Sequence, residues 1–276
     1  MKLLLFVPQK SYFLEAIDFA GLLAKKTESP LHLLHLTKGP KGFTQGQNAL
    51  DEISDRLSPL EPASQRVTSG DALDALRAAI LEHQINLVLL ASGKEVGIRA
   101  LPLESTINKL VSQSPSPIIV LRKPPKKLDR VLVCTGGTPR ADDAIRAGAE
   151  LAQQIGAQAT LLYVSNTVPS MYTGLDQMDE TLQEILDTDT PLAHHLHKGA
   201  ETFEHYGLQG NLELRHGVPF EAILTAVEED QVDLVVVGAS RVGKNVRNWL
   251  LGNVSKQVLE RSPIPVMVVH LGQSFS

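Results

Sequence analysis

The residues best placed to do chemistry follow the apolar run "VDLVVVGA". Gly238 closes that run, Gly243 sits in the polar loop after it, and Gly252 with Asn253 precedes a helical pattern that contains Ser255. Glycine lets backbone N–H groups approach an anion closely, and the start of a helix offers N–H groups without intrahelical acceptors, so the spacing suits a phosphate. The same glycines also suit a plain turn at a strand end. A second candidate is "CTGGTPRADDA", Cys134 to Ala144. There Gly136 and Gly137 would admit a phosphate or an adenine, while Thr135 or Thr138 is expected to cap the following helix. Cys134 reads as a small buried hydrophobe, since no base lies near it in sequence.

A third cluster is "HHLHKGAETFEH". At 100° per residue, His194, His197, Glu201 and His205 share an arc of about 80°, opposite Leu192, Leu196 and Phe203. Two imidazoles and a carboxylate on one helix face suit a transition metal, yet the pattern lacks a further fixed ligand and reads first as a solvated face. No GxxxxGK[ST], HExxH or GxSxG motif occurs, so nothing points strongly to an enzyme.

The elements that carry these residues occur twice. "GDALDALRAAILEHQINLVLLAS" from Gly70 aligns with "GVPFEAILTAVEEDQVDLVVVGA" from Gly217 without a gap, and "LESTINKLVSQSPSPIIVLR" from Leu103 aligns with "LGNVSKQVLERSPIPVMVVH" from Leu251. The register is 147 residues in the first block and 148 in the second, so one residue enters the intervening loop of the later copy. Repeats this long mark a duplicated domain. Domains are expected over residues 1–124 and 128–276, with "RKPPKKLD" as the linker. In each copy short apolar strands alternate with helical stretches, which predicts an α/β architecture of two five-stranded parallel sheets flanked by helices. In the first copy one helix is expected around Leu50–Leu60; in the second, the stretch Thr167–Pro191 reads as an irregular excursion, functional or disordered, before a helix from Leu192.

The first copy bears Ala91 and Glu104 where the second bears Gly238 and Gly252. A carboxylate at a phosphate cradle repels the ligand, which assigns any nucleotide to the second copy. Composition fits this picture. The chain has 276 residues, 43% hydrophobic and 21% charged, with a net charge of −5, which gives no general attraction to nucleic acid or anionic membrane. Its one cysteine excludes an intramolecular disulfide, and the leading apolar run Leu3–Val7 stops at Pro8, too short for a signal peptide. No run reaches the length of a membrane span, and the expected location is the cytoplasm.

At "VDLVVVGASRVGKNVRNWLLGNVSKQVLERSPIPVMVVH" the chain closely resembles the universal stress protein family, and the duplication resembles a tandem member. The resemblance implies Rossmann-like (adenine nucleotide alpha hydrolase-like) domains that pair through their last strands, here within one chain. It also implies a non-catalytic stress-response role with ATP or another adenine nucleotide as ligand. Carried over residue by residue, the site comprises Gly136, Gly137, Val164 (backbone), Gly238, Arg241, Gly243, Gly252, Asn253 and Ser255. The sequence departs from the family pattern at three of them. Arg241 stands where a second glycine belongs, Asn253 replaces a hydroxyl residue, and Gly136 replaces an aspartate that contacts the nucleoside. Loss of that carboxylate removes a charge-assisted hydrogen bond worth about 1.5–3 kcal/mol, whereas Arg241 and Lys244 add cations suited to phosphate. Alternatives are a ligand-free scaffold for protein partners, alone or as a homodimer, and an ATP-hydrolysing or pyrophosphatase-type enzyme suggested by "TGGTPRADD".

Overall fold

A computed structural model describes residues 1–7, 14–91, 105–122, 124–165, 181–209, 211–239, 252–270, 272, 273 and 275. The first half runs β1 (Leu3–Val7), α1 (Leu14–Lys26), β2 (Leu31–Thr37), α2 (Phe43–Leu57), β3 (Ser64–Ser69), α3 (Ala72–His83), β4 (Leu87–Ala91), α4 (Ser105–Gln113) and β5 (Ile118–Leu121). The second runs β6 (Arg130–Thr135), α5 (Asp142–Ile155), β7 (Gln158–Ser165), α6 (Leu182–Leu186), α7 (Pro191–His205), β8 (Asn211–His216), α8 (Pro219–Glu229), β9 (Leu234–Ala239), α9 (Asn253–Arg261) and β10 (Val266–His270).

The ten strands form one sheet in the order β3-β2-β1-β4-β5-β10-β9-β6-β7-β8. All pairings within a half are parallel. The halves meet where β5 and β10 pair antiparallel, with Met267 opposite Ile119. Strands such as "LLLFV", "LVLLA" and "IIVL" are buried along their whole length, as a sheet covered on both faces requires. Successive residues alternate between two cores: Leu3, Leu5 and Val7 face α1, α2 and α5, while Leu4 and Phe6 face α3, α4, α8 and α9.

Equivalent residues secure the seam from both sides. Arg122 follows β5 and donates from Nη1 to the carbonyl of Glu260 in α9 at 2.8 Å; His270, 148 residues later, donates from Nε2 to the carbonyl of Val111 in α4 at 2.7 Å. A cation near the C-terminal end of α9 also complements that helix's dipole. The strand-preceding serines repeat as well: Ser114 and Ser262 each donate to the carbonyl two residues on.

Two local expectations are corrected. The helix placed at Leu50–Leu60 begins at Phe43 and ends at Leu57, because Gly46, Leu50, Ile53 and Leu57 make its buried face and Pro59 lies just beyond. Within the excursion the structure adds α6, closed by a capping box between Thr181 and Glu184. Residues 166–180, and with them most of the expected excursion, lie outside the described residues. Among the described residues no helix is long and apolar enough to cross a membrane.

Candidate functional site

In the second half the strand order reverses between β9 and β6, whose following connections run in opposite directions across the sheet. Ligands of open parallel sheets settle at the carboxyl ends of the strands at such a point. Gly238 near the end of β9, Thr135 at the end of β6 and the start of α9 all lie there. Val164 in β7 pairs with Arg215, one residue beyond the Thr135–Tyr163 pair, which sets its backbone level with Gly136.

Among the described residues, no side chain caps the start of α9. Gly252 is its N-cap with no side-chain capping bond, no acidic residue occupies its first turn, and the first intrahelical bond runs from Lys256 N–H to Gly252 C=O. The N–H groups of Asn253, Val254 and Ser255 therefore lack intrahelical acceptors. Gly252 has φ −56°, which any residue adopts, so backbone conformation does not demand glycine there. Ser255 is buried, and its hydroxyl donates to the Gly238 carbonyl at 2.7 Å, fastening the helix start to the strand end. Asn253 accepts a side-chain bond from Gln257 at 3.1 Å. Among the described residues, a Cβ on Gly238 would meet Ala144 at 3.6 Å, an ordinary contact that agrees with Ala91 at the matching place in the first half. Arg241 and Gly243 lie outside the described residues.

The two glycines after β6 differ in role. Gly137 has φ +70°, and a Cβ there would stand 2.7 Å from Leu192 and 2.9 Å from Tyr163, so both conformation and space require glycine. Gly136 is exposed, and a Cβ on it would meet none of the described residues within 4 Å. Thus α7 fills the side of Gly137 that a ligand would otherwise approach, and the open surface is at Gly136.

The expected helix caps are replaced by a buried polar chain. Thr138 makes no capping bond; instead Thr135 Oγ1 accepts the Gly137 N–H at 3.1 Å and lies 2.7 Å from His195 Nε2. His195 Nδ1 stands 3.2 Å from Asp142 at ion-pair distance without the alignment of a hydrogen bond, and Asp142 also pairs with Lys198 at 2.5 Å. With Nδ1 protonated toward Asp142, Nε2 accepts the Thr135 hydroxyl proton. Burial lowers the His195 pKa; Asp142 opposes that shift and Lys198 adds to it. Gly199, one turn further along α7, lets the helix sit directly on Leu161 of β7 and so brings His195 to the strand end. Spacing alone does not single out His195, which lies off the exposed arc shared by His194, His197 and His205. Its position flanking the Leu192–Leu196–Phe203 stripe was the available signal. Thr135 and His195 are too deeply buried to present a nucleophile. Burial likewise pushes the Cys134 thiol up to about 12, which keeps it protonated.

The third cluster does not converge. His194 bonds Asp189 at 2.7 Å, His197 donates to the Leu186 carbonyl at 3.1 Å, and His205 packs edge-on against Tyr206. All three imidazoles and Glu201 are exposed, and no group of three metal-ligating side chains assembles among the described residues.

With this geometry in place, comparison with known proteins assigns the family. The model of the universal stress protein family matches residues 127–270. A universal stress protein of Methanocaldococcus jannaschii is 25% identical over 151 residues, 54% of this chain and 86% of the relative. One from Mycobacterium tuberculosis is 31% identical over 139 residues, 49% of this chain and 92% of the relative. Among solved structures, a universal stress protein from Archaeoglobus fulgidus covers 98% of both chains with a TM-score of 0.72 at 18% identity, which extends the shared fold over both halves. The chain belongs to the universal stress protein family.

Proposed function

We propose that the chain is a non-catalytic, stress-responsive binder of an adenine nucleotide, ATP or a close relative, held in the second half. The observation that carries this reading is the uncapped first turn of α9, free of acidic residues and opening at the reversal of strand order beside Gly238 and exposed Gly136. Phosphate oxygens would accept the N–H groups of Asn253, Val254 and Ser255, with the helix dipole adding to the attraction. Gly136 and the Val164 backbone would flank the nucleoside. The Lys198–Asp142–His195–Thr135 chain holds the loop at Gly136 in place and stays clear of the ligand, consistent with binding without turnover.

Calorimetric titration with ATP tests the site. Gly252→Glu should weaken binding at least roughly tenfold, and Gly136→Asp, which supplies a carboxylate toward the ribose, should tighten it by about 1.5–3 kcal/mol. An affinity indifferent to both changes would place the nucleotide elsewhere. Measurable release of inorganic phosphate by the saturated protein would remove the non-catalytic part of the reading.

A further inference from the structure

We propose that the stacked imidazoles of His32 and His83 are an acid-sensitive latch, which holds the end of α3 against β2 and the outermost strand β3 and releases it when both rings are protonated. His32 lies near the start of β2 and is 8% exposed, and its Nδ1 stands 2.7 Å from the Ser64 hydroxyl of β3. His83 is the half-buried last residue of α3, with its ring centroid 4.4 Å from that of His32 and the two planes 26° apart. One ring contact thus joins three elements. Among the described strands β3 ends the sheet and is paired on one side alone, so the latch closes an edge.

Neutral imidazoles gain from stacking, whereas two imidazolium rings in contact repel. A first proton is accommodated on His83, which lies at the C-terminal end of α3, where a cation complements the helix dipole, with its Nε2 3.9 Å from Glu82. A second proton is not. It must enter the buried ring of His32, which faces His83 and the Lys2 ammonium beside the start of β1. Arg66 of β3 already pairs with Glu82, and the other polar neighbours, Gln84 and Ser64, are uncharged. Among the described residues the fixed charges around the pair are therefore Lys2, Arg66 and Glu82, two cations against one carboxylate. Burial, then His83, then Lys2 lower the His32 pKa below its ordinary 6.5. The latch is thus closed above that value and opens as pH falls through the lowered one.

The second half shows that the fold does not need the pair. Strand register and the 147-residue repeat put Thr160, Asn211 and Asp230 at the places of His32, Ser64 and His83, and β7, β8 and α8 assemble the same architecture. The imidazoles of the first half therefore answer to something other than the sheet. Threonine, asparagine and aspartate do not change charge near neutral pH, so the response belongs to the first half alone.

Hydrogen exchange of the full chain, read by mass spectrometry at about pH 7.5 and about pH 5.5 and corrected for the intrinsic pH dependence of exchange, tests the latch. Protection of residues 64–69 and 80–84 should fall roughly tenfold or more on acidification, while the matching segments 211–216 and 227–231 change by less than about twofold. His32→Thr combined with His83→Asp, which copies the second half, should abolish the fall. An NMR titration of the unaltered protein keeps the test independent of how that variant folds: the His32 imidazole should titrate below pH 6.5 and register protonation of His83 as a separate step. No loss of protection on acidification, equal losses in the two halves, a loss that persists in the double variant, or a His32 titration indifferent to His83 would each overturn the proposal.

Discussion

The two halves share one backbone plan and differ in which polar groups they bury. In the second, Thr135, Asp142 and His195 form a chain; in the first, the strand-end and helix-start places that match Thr135 and Asp142 hold Val7 and Leu14. The ion pair of Asp71 and Lys109 shows the reverse, with Val218 and Gln257 in its place. Each network is present whole or absent whole. A lone Thr135 or His195 would be a buried polar group without its partner, at a cost above that of replacing the pair, whereas Asp71 and Lys109 are exposed and either can be lost at little cost. Duplication thus preserved the sheet while each half's loop chemistry diverged in complete units.

The sharpest test of this unit behaviour is a double-mutant cycle. His195→Leu should destabilise the protein by about 2–4 kcal/mol in chemical denaturation, since it removes the acceptor of the buried Thr135 hydroxyl, while Asp142 keeps Lys198. Adding Thr135→Val should recover about 1 kcal/mol or more of that loss, whereas strict additivity would break the comparison.

Next in size is the contrast between adjacent glycines. Gly137→Ala should cost about 2–3 kcal/mol from its positive φ and its collision with Leu192 and Tyr163, while Gly136→Ala should stay within about 0.5 kcal/mol. Equal costs would mean that α7 does not close over the loop.

A smaller effect follows from pH. His195 has a folded pKa below its ordinary 6.5, with burial as the main cause, and burial also lowers His270 and is the main cause lowering His32. The unfolded chain therefore binds more protons just below pH 6.5, so stability is fully present above that value and falls as pH drops through it. Denaturation midpoints should decline on acidification from pH 7, and His195→Gln should flatten the decline. A slope unchanged by that variant would remove His195 from the account. The smallest expected effect is at the surface: Lys109→Gln, copying the second half, should shift stability by no more than about 0.5 kcal/mol.

Much of the fold was legible because burial on both faces of a parallel sheet writes itself as unbroken apolar runs, and because the same runs recur 147–148 residues apart. The helix from Leu192 was legible from its stripe, though Thr190 and Pro191 start it slightly earlier. The polar chain was not legible. Thr135, Asp142 and His195 are separated by up to sixty residues and meet only through the packing of α7, which depends on the close approach at Gly199. Local spacing could not distinguish Gly136 from Gly137 either, since the difference lies in what α7 brings against one of them.

The central claim is that the second half holds an adenine nucleotide. Its most direct test is to purify the protein without added nucleotide, denature it, and identify released small molecules by mass spectrometry, followed by titration of the emptied protein with ATP. Near-stoichiometric ATP, ADP or AMP, or saturable ATP binding that Gly252→Glu abolishes, is the expected result. A protein that releases no nucleotide and fails to bind added ATP would contradict it, and the open turn of α9 would then be a structural feature alone.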